Sequence, residues 1–179
     1  MSYCISLSAY AEPYFVHCYD FGCKSNQEIY FSQRQWADIK NIFASEILTT
    51  DQEKQAIRKA VAMMESFSGA IVGTSLDKGG NYPGYEIIKQ QDCIDESTNT
   101  YQYLNALNDL KLLKWHRVEP KKRRTVWFFE HWTAVISENL TGQKFAVDSW
   151  YRDNGEPPYI QLLKDWQVKK PFPEQYNPD

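Results

Sequence analysis

The stretch that decides the fold is HWTAVISENLTGQKFAVDSW, which occupies positions 131–150. Its two ends, 131–137 and 144–150, have the alternating pattern of half-buried strands, and the polar segment between them predicts a hairpin connection. With a turn centred between Leu140 and Thr141, side-chain alternation puts His131 and Asp148 on one face of the hairpin. The pattern therefore predicts that an imidazole and a carboxylate lie on the same side of the sheet.

Three amphipathic helices are predicted before this hairpin. Ser32 with Gln35 forms a capping-box pattern that marks the start of the first helix. Thr50 and Glu53, three residues apart, mark the start of the second. The third is expected to begin near Cys93, where acidic residues of the first turn suit the positive end of the helix dipole.

The order of these elements sets the fold class. Further strand-like segments lie at 29–31 and 125–129, and 159–166 forms a last short element, so helices mostly precede strands along the chain. This order favours an α+β fold in which N-terminal helices pack on an antiparallel sheet. The chain shows no internal repeat and no linker, so residues 1–179 are predicted to form a single domain.

Composition and charge exclude several classes of protein. Hydrophobic residues make up 42% of the chain, too many for a disordered protein. The net charge of −3 argues against nucleic acid as a partner. The one basic run, at 121–124, is interpreted as a solvated loop, with contact to an anion as the alternative. No apolar run approaches the roughly 20 residues of a membrane span.

The N-terminus has two interpretations. Residues 8–11 resemble the small-residue end of a secretory signal, but the segment 1–11 is shorter than a whole signal and carries no basic residue. Either 1–11 is the remnant of an export signal, which predicts a periplasmic or secreted protein, or it is an ordinary N-terminal segment of a cytoplasmic one.

The cysteine count bears on the same question. If 1–11 were removed, Cys18, Cys23 and Cys93 would remain, and an odd count in an oxidising compartment predicts one disulfide and one free thiol. A Cys18–Cys23 bond closes a small loop and leaves Cys93 free, whereas in the cytoplasm all three would be ordinary thiols. The sequence offers no second pair of metal ligands to join Cys18 and Cys23, so no metal ion is predicted there. No cofactor is predicted either.

Three residues have types and placements that agree with thiol chemistry. Cys93 lies at a predicted helix start, where unpaired N–H groups and the helix dipole stabilise a thiolate. His131 suits the role of base, and Asp148 in the next strand suits the role of orienting the imidazole. Their order and contexts together predict a Cys–His–Asp catalytic triad.

This order of residues resembles the transglutaminase-like core, a relative of the papain fold. The matching segments are Asp92-Cys93-Ile94-Asp95, His131-Trp132-Thr133-Ala134-Val135 and Val147-Asp148-Ser149-Trp150. The resemblance implies a single papain-like/transglutaminase-like domain. The whole chain also resembles a bacterial family whose members often begin with an export signal, and that likeness implies no substrate.

The resemblance implies a thiol-dependent acyl-transfer enzyme. Cys93 would attack the carboxamide or peptide bond of a peptide or protein substrate, and water or an amine would resolve the thioester. Hydrolysis is the default, and transamidation is the alternative. The oxyanion would be held by the Cys93 amide, with the side chain of Gln91 as a further candidate donor.

Other interpretations fit the same residues. The chain could be a non-catalytic binding protein that retains the fold, or the three predicted triad residues could hold a zinc ion. Ser97, one turn after Cys93, is an alternative nucleophile. The acidic neighbours Asp92, Asp95 and Glu96 would oppose thiolate formation if they face the sulfur.

Overall fold

The protein is described by a computed structural model that covers residues 13–44, 47, 49–83 and 88–173. The segment 1–11, considered above as an export-signal remnant, lies outside these residues. The strands are β1 (Tyr14–Tyr19), β2 (Ser25–Tyr30), β3 (His116–Val126), β4 (Phe129–Glu138), β5 (Lys144–Asp148) and β6 (Tyr159–Leu162), and the helices are α1 (Gln33–Ile42), α2 (Thr50–Val72), α3 (Cys93–Asp109) and α4 (Leu163–Gln167).

The strands form two antiparallel sheets, with the strand orders β1-β2 and β3-β4-β5-β6. Within each sheet, strands that are consecutive in the sequence are adjacent. This mixed α and β architecture agrees with the predicted fold class, and the finer transglutaminase-like assignment stays a prediction. The main core lies between helices α1–α3 and one face of the larger sheet, which contributes Ala134, Ile136 and Val147. The opposite face carries Val135 and is covered by α4.

The register of β4 and β5 is the predicted one. Ala134 lies opposite Val147 and Ser137 opposite Lys144, so the hairpin is centred between Leu140 and Thr141. His131 and Asp148 therefore share a face, which is the face covered by α4 and opposite to the main core.

Helix starts follow the predicted signals with one shift. Ser32 caps α1 and forms the expected capping box with Gln35. Helix α2 is capped by Thr49 with Gln52, one residue earlier than the predicted Thr50. Thr49 with Gln52 and Thr50 with Glu53 both fit the capping-box pattern. The sequence alone therefore does not decide which of the two threonines caps the helix.

Glu53, predicted as a capping partner, is instead a buried clamp between α2 and the start of β3. Its carboxylate accepts hydrogen bonds from the backbone N–H groups of Lys114 and Trp115 at 2.5 and 2.9 Å. It also bonds Nδ1 of His116 at 2.8 Å. These donors lie more than sixty positions away, so no local pattern could reveal the role of Glu53.

The basic run at 121–124 lies inside β3, so its interpretation as a solvated loop was wrong. Lys122 and Arg123 are exposed, whereas Arg124 is buried. The strand is irregular between Glu119 and Lys122, where Pro120 sits. A proline cannot donate to a strand ladder, which explains why it looked like the start of a loop.

We predict that Glu53→Ala lowers the free energy of unfolding by about 3 kcal/mol, because it leaves the buried His116 and two partly buried backbone N–H groups without their acceptor. The matched control is Asp51→Ala in the same helix turn, an exposed carboxylate that pairs with Lys54 and whose loss should cost less than about 1 kcal/mol. Urea denaturation at pH 7 measures both. Equal costs for the two variants would contradict the clamp.

Candidate active site

His131 and Asp148 form a buried hydrogen-bonded pair. Nε2 of His131 lies 2.7 Å from Oδ2 of Asp148, and the two side chains are only 7% and 1% exposed. The indole Nε1 of Trp166 in α4 donates to the same carboxylate oxygen at 2.6 Å. Two donors thus hold the carboxylate, and the carboxylate in turn fixes the orientation of the imidazole.

Aromatic rings enclose the imidazole of His131. The ring centroids of Trp150, Tyr151 and Trp166 lie 4.8, 5.2 and 5.6 Å from that of His131. The indole of Trp150 donates to the backbone oxygen of Asn81 at 3.1 Å, which anchors the turn after β5. This enclosure restricts water around the His131–Asp148 bond and strengthens it electrostatically.

Cys93 is the first residue of α3 and carries a free thiol. Its sulfur lies 4.0 Å from the carbonyl oxygen of Glu130 and also accepts a hydrogen bond from the backbone N–H of Trp132. These two groups flank His131 in β4. They are accessible because β5 pairs with β4 only from Ala134 onward, which leaves the edge of β4 at 130–132 open to the start of α3.

Cys93 and His131 line the same small cavity, which has a volume of about 50 Å³. Because Nε2 of His131 is bonded to Asp148, Nδ1 is the ring nitrogen that the carboxylate does not engage. Among the described residues no hydrogen bond joins the Cys93 sulfur to the imidazole, so the triad stays a prediction that the shared cavity supports. The cavity is lined by Tyr82, Cys93, Arg124, Val126, Phe129, Glu130, His131, Trp150, Tyr151 and Lys169.

The start of α3 is held from two sides. Asp92 caps the helix by accepting hydrogen bonds from the N–H groups of Ile94 and Asp95. Cys18 and Cys23 form a disulfide, and the N–H of Cys23 donates to Oδ1 of Asp95 at 2.6 Å. The disulfide loop therefore binds the first turn of α3 directly, and this turn carries the Cys93 sulfur.

A cluster of buried carboxyl groups supports the chain just before α3. Burial raises the pKa of Glu65 to about 8 and that of Asp77 to about 7, and it raises the pKa of Glu96 well above its usual range. Asp77 accepts a hydrogen bond from the N–H of Gln91 at 2.6 Å and another from Glu96. Glu96 therefore faces the acid cluster, and its side chain has a structural role.

The structure does not bring Gln91 or Ser97 to the cavity. The Gln91 side-chain amide donates to the carbonyl oxygen of Cys18 at 3.3 Å, so it is directed towards the disulfide loop. The Ser97 hydroxyl donates to the carbonyl oxygen of Ile94 at 3.2 Å within α3. Neither is among the cavity-lining residues.

The other two histidines are buried in structural positions. Nδ1 of His17 bonds the hydroxyl of Tyr103 at 3.1 Å, and burial lowers the pKa of His17 to about 4. His116 bonds Glu53, as described above. Neither lines the cavity that holds Cys93.

Among the residues that the structure describes, a single group of side chains is close enough to hold a metal ion. It consists of Cys18, Cys23 and Asp95, and its two sulfurs are joined in the disulfide. The zinc alternative required Cys93, His131 and Asp148 to converge as ligands, and their ligand atoms do not converge in this way.

Arg124 is a site residue that the sequence analysis missed. It lies opposite His131 on β3, and its guanidinium donates to the Tyr151 hydroxyl at 2.7 Å and to the carbonyl oxygen of Trp166. The guanidinium also lies 4.4 Å from the centroid of the Trp166 ring. Arg124 therefore ties together the rings around His131, but in the sequence it was one member of a basic run.

Gly79 supports the turn that carries Trp150 and Tyr151. A Cβ atom at this position would lie 2.7 Å from the backbone of Tyr151 and Arg152. The N–H of the next residue, Gly80, donates to the carbonyl oxygen of Trp150 at 2.6 Å. The close approach of this backbone leaves no room for a side chain at position 79.

Comparisons of the chain with family models, with curated proteins and with solved structures give no match. Across the described ranges, the structure contains no helix with the length and apolar character needed to cross a bilayer.

The thiol of Cys93 does not have the lowered pKa expected at a helix start. Burial, with smaller contributions from the charges of Asp92 and Asp148, raises the pKa of Cys93 to about 11, and the Trp132 N–H opposes this only in part. Desolvation of a thiolate outweighs the favourable end of the helix. Cys93 is therefore a protonated thiol near neutral pH, and not half of a preformed ion pair.

We predict that alkylation of Cys93 by iodoacetamide rises about tenfold per pH unit between pH 7 and 10. A thiol with a pKa of about 11 is less than about one part in a thousand thiolate at pH 7, and this fraction grows with pH. Peptide mapping by mass spectrometry reports modification of Cys93 separately from other thiols. In urea-unfolded protein the same rate should level off above about pH 9. A plateau already below pH 8 in folded protein would show a stabilised thiolate and contradict this account.

Proposed function

We propose that this protein is a thiol-dependent acyl-transfer enzyme that cleaves an amide or peptide bond through a thioester on Cys93. The observation that supports it most is the 2.7 Å bond between His131 and Asp148 beside the cavity that the Cys93 thiol lines. Structural histidines need no cavity, whereas a base must meet both a nucleophile and a substrate.

In the first step, Nδ1 of His131 removes the proton of the Cys93 thiol while the sulfur attacks the carbonyl carbon. The raised pKa of the partly buried thiol means that proton transfer accompanies attack. The C–S bond forms and the carbonyl electron pair moves to the oxygen. The imidazolium that results is stabilised by Asp148, which is itself held by Trp166.

The oxyanion needs donors beside the sulfur. Two backbone N–H groups meet this requirement, those of Cys93 and Trp132, both of which bond the sulfur itself. We assign the oxyanion to these amides in place of Gln91, whose side chain binds Cys18. Rigid backbone donors cost no reorganisation when charge develops.

The second half of the reaction releases the acyl group. The tetrahedral intermediate expels the amine, which takes the proton from His131, and leaves a thioester on Cys93. Water then attacks the thioester while His131 takes its proton, the C–S bond breaks, the acyl group leaves as a carboxylic acid, and the imidazolium returns the proton to the Cys93 sulfur. An amine in place of water would give transamidation, and hydrolysis is the default.

The alternative is a binding protein that retains this cavity without turnover. The observation that favours it is the raised pKa of Cys93, because a thiol at about 11 is a poor nucleophile unless a base assists it. A binding protein would show no turnover that depends on Cys93.

We predict that wild-type protein hydrolyses p-nitrophenyl acetate and that Cys93→Ala reduces the rate to that of the uncatalysed reaction. Asp148→Asn should lose roughly 10- to 1000-fold, less than Cys93→Ala, because nucleophile and base survive with poorer orientation. The release of p-nitrophenol measures all rates, and circular dichroism checks that each variant is folded.

The control is Ser97→Ala, which removes the alternative nucleophile and should retain wild-type turnover. Turnover that survives in Cys93→Ala, or that disappears in Ser97→Ala, would refute Cys93 as the nucleophile.

A further inference from the structure

Three consecutive aromatic side chains stand exposed at the end of the β3–β4 hairpin. Trp127, Phe128 and Phe129 are 87%, 94% and 71% exposed, and we call this group the aromatic tip. Since one buried aromatic side chain covers roughly 150–250 Å², the tip presents several hundred Å² of apolar surface. Apolar patches of this size on soluble proteins commonly mark an interaction site.

The residues of the aromatic tip are not those that the geometry of a hairpin turn favours. Phe129 pairs with Val126, so the turn is formed by Trp127 and Phe128. Trp127 has a φ of 60°, a left-handed conformation that glycine or asparagine adopts with less strain. A bulky aromatic residue is thus kept at a strained and exposed position where it contributes little to folding, which points to binding.

The aromatic tip is continuous with the candidate active site. Phe129 and Val126 line the same cavity as Cys93 and His131. A polypeptide whose carbonyl carbon reaches the Cys93 sulfur therefore has its neighbouring side chains beside the tip.

Local charge favours a polypeptide over an anionic membrane as the occupant. Most cations of the basic run at 121–124 already have partners within the protein. Lys121 donates to the Thr98 hydroxyl and Arg123 pairs with Glu130, each at 2.6 Å. Lys122 is the exposed cation that remains in the run. Membrane-binding segments typically present about four to eight clustered cations.

We propose that the aromatic tip is a substrate subsite that binds apolar side chains of a polypeptide next to the carbonyl that Cys93 attacks. The placement relative to the carbonyl rests on the proposed function, whereas the binding itself needs no turnover. The substrate class is therefore a peptide or protein with large apolar residues close to the cleaved bond.

The test uses full-length Cys93→Ala protein, which binds without cleaving. Its probes are two fluorescein-labelled peptides with a central Gln, one with Phe and Leu before it and one with Ser at both positions. Fluorescence anisotropy should show at least about tenfold tighter binding of the apolar peptide. Adding Trp127→Ser and Phe128→Ser should remove this preference, because they delete the apolar surface.

The matched control is Leu140→Ser, an equally exposed apolar residue (81%) in the turn at the other end of β4, which should leave the preference unchanged. Equal affinity for the two peptides, or equal effects of tip and control variants, would overturn the proposal. So would tip-dependent sedimentation with phosphatidylserine vesicles in the absence of peptide discrimination, since this would make the tip a membrane contact.

The ester assay separates this inference from the proposed function. Tip-dependent binding in a protein without Cys93-dependent turnover would support the subsite and refute the catalysis. Turnover without peptide discrimination would refute the subsite alone.

Discussion

The bond between His131 and Asp148 is the interaction on which the rest of the site depends. A buried carboxylate is costly unless charged or polar donors surround it, and here the imidazole and the Trp166 indole supply them. The bond requires the register of β4 and β5, because a slip of one residue would move one partner to the opposite face. The hairpin, α4 and the rings around His131 are thus coupled to one hydrogen bond of 2.7 Å.

Cys93, the proposed nucleophile, approaches this pair from the other side of the sheet. Helix α3 packs in the main core, opposite the face of His131, so its first residue meets β4 at the open edge beyond the end of β5. The disulfide loop and the Asp92 cap hold this end of the helix. The same packing partly buries Cys93 and raises its pKa, so the proposed reaction near neutral pH requires His131 as a base.

Alternation and capping patterns were sufficient to predict the strands around His131 and Asp148, their shared face and the start of α3. These features depend on residues close together in the chain. The long β3 was hidden by Pro120, which sits at an irregularity of the strand. The Gln91 side-chain amide contacts Cys18, and Cys93 is partly buried by residues distant in the chain. No local sequence pattern could therefore predict that Gln91 points away from the cavity or that the pKa of Cys93 is raised.

The central claim is that acyl transfer passes through a thioester on Cys93. The most direct measurement is mass spectrometry of protein mixed with p-nitrophenyl acetate and quenched in acid within the first turnover, followed by peptide mapping. The account predicts one acetyl group on the peptide that contains Cys93, lost when the quench is delayed after the ester is consumed. Acetylation at Ser97 or at lysines, with the Cys93 peptide unmodified at every time, would contradict it.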